Sequence, residues 1–170
     1  MNRAWRLGVV LVLLLAYGAE LYAAPAIAVL DFELNDLTLK PRTAEELART
    51  ASIAPLLRRA LVGQQGYRVV SIDPAHYAAA NAGFGYLFEH TDSAAALGRA
   101  HGAEWLVVGR VHKPSFLFVY LKARLIEVAR ERLAGDYSVE IKGDLSKLNA
   151  RGAQRLAEQI GTAIKTRKDP

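Results

Sequence analysis

The chain has 170 residues, 52% of them hydrophobic and 23% charged, a balance that fits one globular domain and excludes a disordered chain. It contains no cysteine, which excludes disulfides, thiolate metal ligands, a thiol nucleophile and a lipid anchor on an N-terminal cysteine. The formal charge of +5 becomes +4 without residues 1–23, which carry Arg3, Arg6 and Glu20 (+5 − 2 + 1), and the basic residues are spread along the chain, so the excess reads as solubility and no nucleic-acid partner is expected.

Residues 1–23 read as an export signal. Arg3 and Arg6 give the positive start, Leu7–Ala19 is an uncharged, mostly apolar run, and Ala23 and Ala24 supply small residues before Pro25. A membrane span needs roughly 20 apolar residues, and this run falls short of that. The expected organisation is a signal peptide over 1–23, cut near Ala23, and a single α/β domain over 24–170. That domain is expected in the periplasm, with no membrane span once the signal is removed.

Ala26–Leu34 alternates as a first strand, with Ala28, Leu30, Phe32 and Leu34 to one side and Ile27, Val29, Asp31 and Glu33 to the other. A loop over Asn35–Arg42 follows. Thr43 with Glu46 three residues on opens a helix with a capping box. Leu47, Ala51, Ala54, Leu57 and Leu61 are its expected buried stripe, and Pro55 predicts a kink or split near Ala51–Pro55. Tyr67–Ile72 is a second strand. Asp73 caps a short helix opened by Pro74, and Gly83–His90 reads as a loop or one helical turn. Asp92 or Ser93 caps a further helix that Gly102 closes.

Trp105–Val111 is almost unbroken apolar sequence, the mark of a central strand covered on both faces. Pro114 has no N–H for a ladder, so the chain turns there and Phe116–Leu125 returns antiparallel. Phe116, Phe118 and Tyr120 form an aromatic stripe, and core burial is expected for at least two of the three rings, under a helix. Leu133–Lys142 is a fifth strand. A last helix runs to Lys165, with Leu148, Gly152, Leu156, Ile160 and Ile164 recurring every four residues. Helical crossovers make the first three strands parallel neighbours, and short turns make the fourth antiparallel to the third and fifth.

AIAVLDFEL, the capped helix, YRVVSID and LGRAHGAEWLVVGRV resemble the N-terminal α/β domain of the TolB family. They are also similar to related envelope proteins such as curli-secretion and penicillin-binding-protein activator lipoproteins. That resemblance implies an anticodon-binding-domain-like α/β fold in three α/β/α layers, with a five-stranded mixed sheet of order 2-1-3-4-5 and strand 4 antiparallel. DFEL, GYLFEH, VGRVHKPSFLF and VEIKG resemble a family of small exported bacterial proteins of unknown function, which supplies no catalytic residues to carry over.

No HExxH, GxxxxGK[ST] or GxSxG motif occurs, Gly83-Phe84-Gly85 reads as a loop tip, and His76, His90, His101 and His112 are scattered, so no catalytic residue, metal or cofactor is expected. One set of polar residues does converge. Ligands of open parallel sheets bind beyond the C-terminal strand ends, which here carry Asp31 and Glu33, Asp73, and Arg110, His112 and Lys113. With Phe116 these are the candidate binding residues. The three basic groups are expected to face either the first-strand carboxylates or an anionic group on a partner. The favoured function is non-enzymatic binding of an envelope protein partner in assembly or maintenance. The alternative is a small-molecule or anion-binding protein, or an enzyme, using the strand-end cleft. A filled strand-end region with an exposed apolar patch favours the first, and a pocket with convergent polar groups the second. Intact mass of the protein recovered from periplasm is expected to correspond to a chain starting near Ala24, and full-length protein in the cytosol would contradict the export reading.

Overall fold

The structure, a computed structural model, describes residues 24–141 and 145–168; the expected signal peptide lies outside the described residues. The elements in chain order are β1 (Ala26–Val29), β2 (Glu33–Asp36), α1 (Ala44–Gln65), β3 (Arg68–Val70), α2 (Pro74–Ala80), α3 (Tyr86–Glu89), α4 (Thr91–Ala100), β4 (Trp105–Lys113), β5 (Val119–Glu127), β6 (Arg132–Ile141) and α5 (Leu145–Lys168), with a 3-10 turn at Val128–Arg130. The sheet order is β3-β1-β4-β5-β6, and β2 pairs with the far end of β4. β1 is parallel to β3 and β4, β2 is parallel to β4, and both β4–β5 and β5–β6 are antiparallel. This is the expected α/β fold with helices on both sheet faces and the expected neighbours.

The sheet has six strands and not five, because the first strand is interrupted. Val29 sits opposite Val107, and Glu33 sits opposite Arg110, so four steps along the first strand match three along β4. The extra residue acts as a bulge and exchanges the faces that follow it. Ala28 and Leu30 pack in one core, while Phe32 and Leu34 join Ile27 and Val29 in the other. The expected alternation through Leu34 is therefore corrected at Leu30–Phe32. Unbroken alternation would have put Asp31 and Glu33 in line with the buried Ile27 and Val29, where a carboxylate without a partner is costly. Phe32 takes that space instead, and its ring lies over Gly109, where a Cβ would come within 2.3 Å of it.

One face of the sheet is covered by α1 and α5. Thr43 accepts from the Glu46 amide and completes the capping box, and Gly66 closes α1 in the left-handed region at φ 69°. Thr50, Ile53, Ala54, Leu57 and Leu61 are its buried residues, whereas Leu47 is 49% exposed and Ala51 is exposed. The expected stripe is shifted by about one position in the first turns, because Glu46 and Thr50, four apart, occupy the inward line there. Pro55 lies on the exposed side, and the helix is not split at it. Leu156, Ile160 and Ile164 of α5 are fully buried, as their spacing predicts.

The other face is covered by α3 and α4, through Leu87, Phe88, Ala94, Ala95 and Leu97, with Tyr77 and Ala80 of α2 partly buried against them. That cover sits on Ala28, Leu30, Leu106 and Val108. Beyond it, on β5 and β6, Tyr120, Lys122, Asp136 and Ser138 are half-buried or exposed. The expected burial of two aromatic rings is corrected here: Phe116 is 60% and Phe118 39% exposed, and Tyr120 is half-buried. The last helix packs on the aliphatic face of Val119, Leu121, Ala123 and Leu125, which buries more smoothly than the aromatic and basic one. No helix among the described residues is long and apolar enough to cross a membrane.

The Gly109–Phe32 contact gives a direct test of the bulge. Gly109→Ala is expected to lower stability by about 1–3 kcal/mol through overpacking. Adding Phe32→Leu is expected to recover part of that loss in the same denaturation experiment.

Candidate functional site

The strand-end residues divide by face. Along β4, Arg110 and His112 alternate with Lys113, and the bulge places Glu33 and Asn35 opposite the first two and Asp36 opposite the third. Two separate polar clusters result, and neither is the single cleft expected from the spacing.

The first cluster ties α3 to the sheet. Arg110 Nε lies 3.7 Å from the Glu33 carboxylate, and Arg110 Nη1 donates to Glu89 at 3.1 Å. The backbone of Gly85 is clamped from both sides, since its N–H donates to Glu33 at 2.8 Å and its carbonyl accepts from Arg110 Nη2 at 3.0 Å. Gly85 adopts φ 80°, and a Cβ there would come within 2.2 Å of Arg110 Nη2, so the close approach and the backbone conformation both require glycine. The Gly83–Gly85 stretch is thus a packing device, in line with its reading as a loop tip. Arg110 and Arg124 lie over the Phe88 ring at 4.1 and 4.4 Å. Arg124 also donates to the Phe88 carbonyl and to Glu89. Burial opposes the ionisation of Glu89, but the hydrogen bond and charge of Arg124, with the charge of Arg110, hold its pKa below the usual value. His112 meets Asn35, Nδ1 to Nδ2 at 3.1 Å. Burial first, then the charges of Lys122 and Arg110, push its pKa down, which favours the neutral imidazole.

The second cluster pins the start of α1. Lys113 donates to Asp36 at 3.1 Å and also to Glu46, and the side chains of Lys113, Asp36 and Glu46 are 12%, 3% and 16% exposed. Asp36 further accepts from the amide and hydroxyl of Thr38 at 2.9 and 2.6 Å. Burial opposes the Asp36 charge, but those bonds and Lys113 outweigh it and lower its pKa. Lys113 and the Thr43 amide lower that of Glu46, and Glu46 with Asp36 raises that of Lys113.

The remaining candidates stand apart. Asp31 sits at the bulge and pairs with Arg58 at 2.9 Å, while Arg58 also donates to the Val29 carbonyl. Asp73 caps α2 through the amides of Ala75 and His76, which lower its pKa. Its own amide donates to His101 Nε2, and His101 Nδ1 meets the Leu97 carbonyl at the end of α4. Phe116 is exposed beside the β4–β5 turn, with the Lys40 ammonium 4.5 Å from its ring centroid. The crevice past the ends of β1 and β3 is lined by Val29, Leu30, Asp31, Arg58, Ile72, Pro74 and Tyr77 and encloses about 140 Å³. Ligand sites usually hold about 300–1,000 Å³. Among the described residues, no group of three or more His, Asp or Glu side chains is placed to hold a metal.

The structure adds a feature that the spacing did not reveal. The Leu37 amide donates to the Lys113 carbonyl at 3.0 Å and Lys40 reaches Phe116, so the β2–α1 loop and the β4–β5 turn lie side by side. Together they expose Leu37 (54%), Leu39 (99%), Phe116 (60%) and Leu117 (80%). Leu39 has φ 62°, a left-handed conformation disfavoured for leucine. The sequence signal was a Leu-x-Leu pair in a loop, which no periodic element requires.

The Lys113 cluster predicts a pH signature. Asp36 and Glu46 have lowered pKa values in the fold, so their stabilisation is complete above the unfolded values, about 4, and is lost as pH falls through the lower folded values. Lys113 is raised, so its share is complete below the unfolded value, about 10.5, and is lost above the folded one. Lys113→Met is expected to cost about 3 kcal/mol near pH 7, because two carboxylates are left facing each other. That deficit is expected to shrink as pH falls toward 4 in urea titrations, since protonation removes the repulsion.

Residues 25–160 match the family described as "Protein of unknown function (DUF2380)", and the chain belongs to that family. No curated protein matches it by sequence. Among solved structures, LpoB of E. coli aligns at 15% identity over 72% of this chain and 58% of its own, with a TM-score of 0.50. A hypothetical protein of Chlamydia trachomatis aligns at 12% identity over 84% of this chain and 96% of its own, also at 0.50. TolB of Acinetobacter baumannii aligns at 15% identity over 84% of this chain and 27% of its own, at 0.47. At such identities the likeness to the first two is one of fold alone.

Proposed function

We propose that this family member is exported to the periplasm, loses residues 1–23, and acts without catalysis by binding an envelope protein through the apolar end of its sheet. The observation that carries the reading is the surface of Leu37, Leu39, Phe116 and Leu117, four large side chains exposed on two adjoining segments. Exposed apolar patches of this kind mark interaction sites on proteins that are otherwise well packed. Lys113, Asp36 and Glu46 anchor both segments from beneath, so the patch is presented on a fixed base. The left-handed Leu39 supports the same reading, since glycine would adopt that backbone at lower cost and leucine contributes nothing to the core.

The strand-end groups of the alternative reading are engaged within the fold, His112 against Asn35 and the charged ones in ion pairs, which favours the first reading. Asp31, Glu33, Arg110 and Lys113 all pair with other groups of the fold, and the adjoining crevice is small. Their role in this proposal is to hold the loops and α3 in place. Within the candidate set, Phe116 is the residue that would touch the partner.

Leu39→Gly separates function from folding. Relief of the left-handed strain is expected to leave stability unchanged or raise it by about 1 kcal/mol. A photo-crosslinking residue at position 117 is expected to capture one discrete envelope protein from living cells, and Leu39→Gly is expected to abolish that adduct. The same crosslinker at Arg59, an exposed position on α1, is expected to capture nothing discrete. An adduct at 117 that persists at full yield in Leu39→Gly would overturn the proposed surface.

A further inference from the structure

The sheet ends on one side in β6, which pairs with β5 and, among the described residues, with no strand on its outer side. An unpaired edge is a row of backbone donors and acceptors, and proteins usually blunt such edges with prolines, inward-pointing charges or very short strands. The opposite edge strand, β3, follows that rule with three residues. β6 has ten residues and no proline. Its first part is occupied, since Arg167 of α5 donates to the Ala134 carbonyl. The open stretch begins at Gly135.

A groove runs beside that open stretch. Ser138–Ile141 form one wall, Arg151, Gly152, Arg155 and Gln159 of α5 form the other, and the cavity holds about 440 Å³. Gly152 keeps the wall close to the sheet, because a Cβ there would lie 2.8 Å from Leu121 of β5 and 3.5 Å from Ile141 of β6. Arg151 and Arg155 are exposed and make no hydrogen bond or ion pair with the described residues. That sets them apart from Arg58, Arg99, Arg110, Arg124, Arg130 and Arg132, each of which holds a carboxylate.

We infer that the β6 edge is a strand-addition site for an extended acidic peptide, with backbone hydrogen bonds to Gly135–Ile141 and carboxylates on Arg151 and Arg155. Peptides that extend an exposed sheet edge take their affinity from the backbone and their specificity from alternate side chains. The spacing selects the ligand further. Positions 151 and 155 are four apart on a helix, a rise of about 6 Å. Alternate residues of a strand are about 7 Å apart. A peptide with Glu or Asp at i and i+2 therefore meets both guanidiniums from one side of its backbone. A second copy of this chain is the poorer occupant, since pairing β6 with its own symmetry mate would bring the two arginine-bearing helices toward each other. This site shares no residue with the apolar end and stands or falls separately from it.

A capped nine-residue peptide of alternating Thr and Glu serves as the probe, with a Thr–Lys peptide as its control. The folded domain is expected to bind the Glu peptide at least about tenfold more tightly than the Lys peptide at low salt, with the preference weakening as salt rises. Arg151→Glu with Arg155→Glu is expected to reverse the preference while the melting temperature stays near that of the parent, because both side chains are exposed. Glu peptide N-methylated at alternate residues is expected not to bind, since its donors to β6 are gone. Absence of binding by the Glu peptide, binding indifferent to the arginine reversal, or binding indifferent to N-methylation would each overturn the proposal. Dimerisation through β6 that the Glu peptide cannot compete away would overturn it as well.

Discussion

One extra residue in the first strand decides where the polar groups at this end of the sheet go. Between Val29 and Glu33 the strand takes four steps to the three of β4, and everything after Leu30 changes face. Phe32 and Leu34 enter the core in consequence, and Gly109 is the space that admits the phenyl ring. Glu33 and Asn35 are delivered to Arg110 and His112, Asp36 to Lys113, and Asp31 is left at the bulge for Arg58. Without the bulge, two carboxylates would be directed into the α1 core, where their desolvation would not be offset. With it, Arg58, Arg110 and Lys113 each have an acidic partner, and the clusters tie α3 and the start of α1 to the strands.

Those ties bear on function through rigidity. The Lys113 cluster fixes the last residue of β2, the start of α1 and the end of β4 at one point. The segments that leave it, after Asp36 and after Lys113, carry the exposed leucines and phenylalanines. Leu37 is tethered by its amide to the Lys113 carbonyl, and Thr38 is bonded to Asp36. Apolar side chains on a floppy loop would fold back and bury one another, whereas here Leu39 remains 99% exposed in a conformation that leucine disfavours. Held in that way, the apolar side chains stay on the surface and do not collapse onto one another.

The architecture was legible in the sequence wherever periodicity carried it. The unbroken apolar run of β4, the capping box at Thr43 and Glu46 and the four-residue recurrence of Leu156, Ile160 and Ile164 all correspond to the elements found. Pairing order and strand direction followed from connection lengths and from the resemblance to envelope α/β domains. The bulge was not legible, because AVLDFEL alternates acceptably in either register and the deciding contact, Phe32 on Gly109, is 77 residues away along the chain. That single shift divides the candidate residues between two clusters: ion pairing between strand-end charges is legible, but the partners Arg58, Glu46 and Glu89 come from helices whose rotation the spacing leaves open. The exposed rings at Phe116 and Phe118 were misjudged because an aromatic stripe reads the same whether a helix covers it or not.

A protein that works by docking its apolar end leaves a footprint there and not in the strand-end crevice. Hydrogen–deuterium exchange of the protein, alone and with the partner captured at position 117, reads that footprint most directly. The account predicts slowed exchange confined to residues 37–43 and 114–118, with residues 72–77 and the amides around Asp31 unchanged. Slowed exchange centred on Asp31 and residues 72–77, with the two apolar segments unaffected, would contradict it and place the binding site in the crevice.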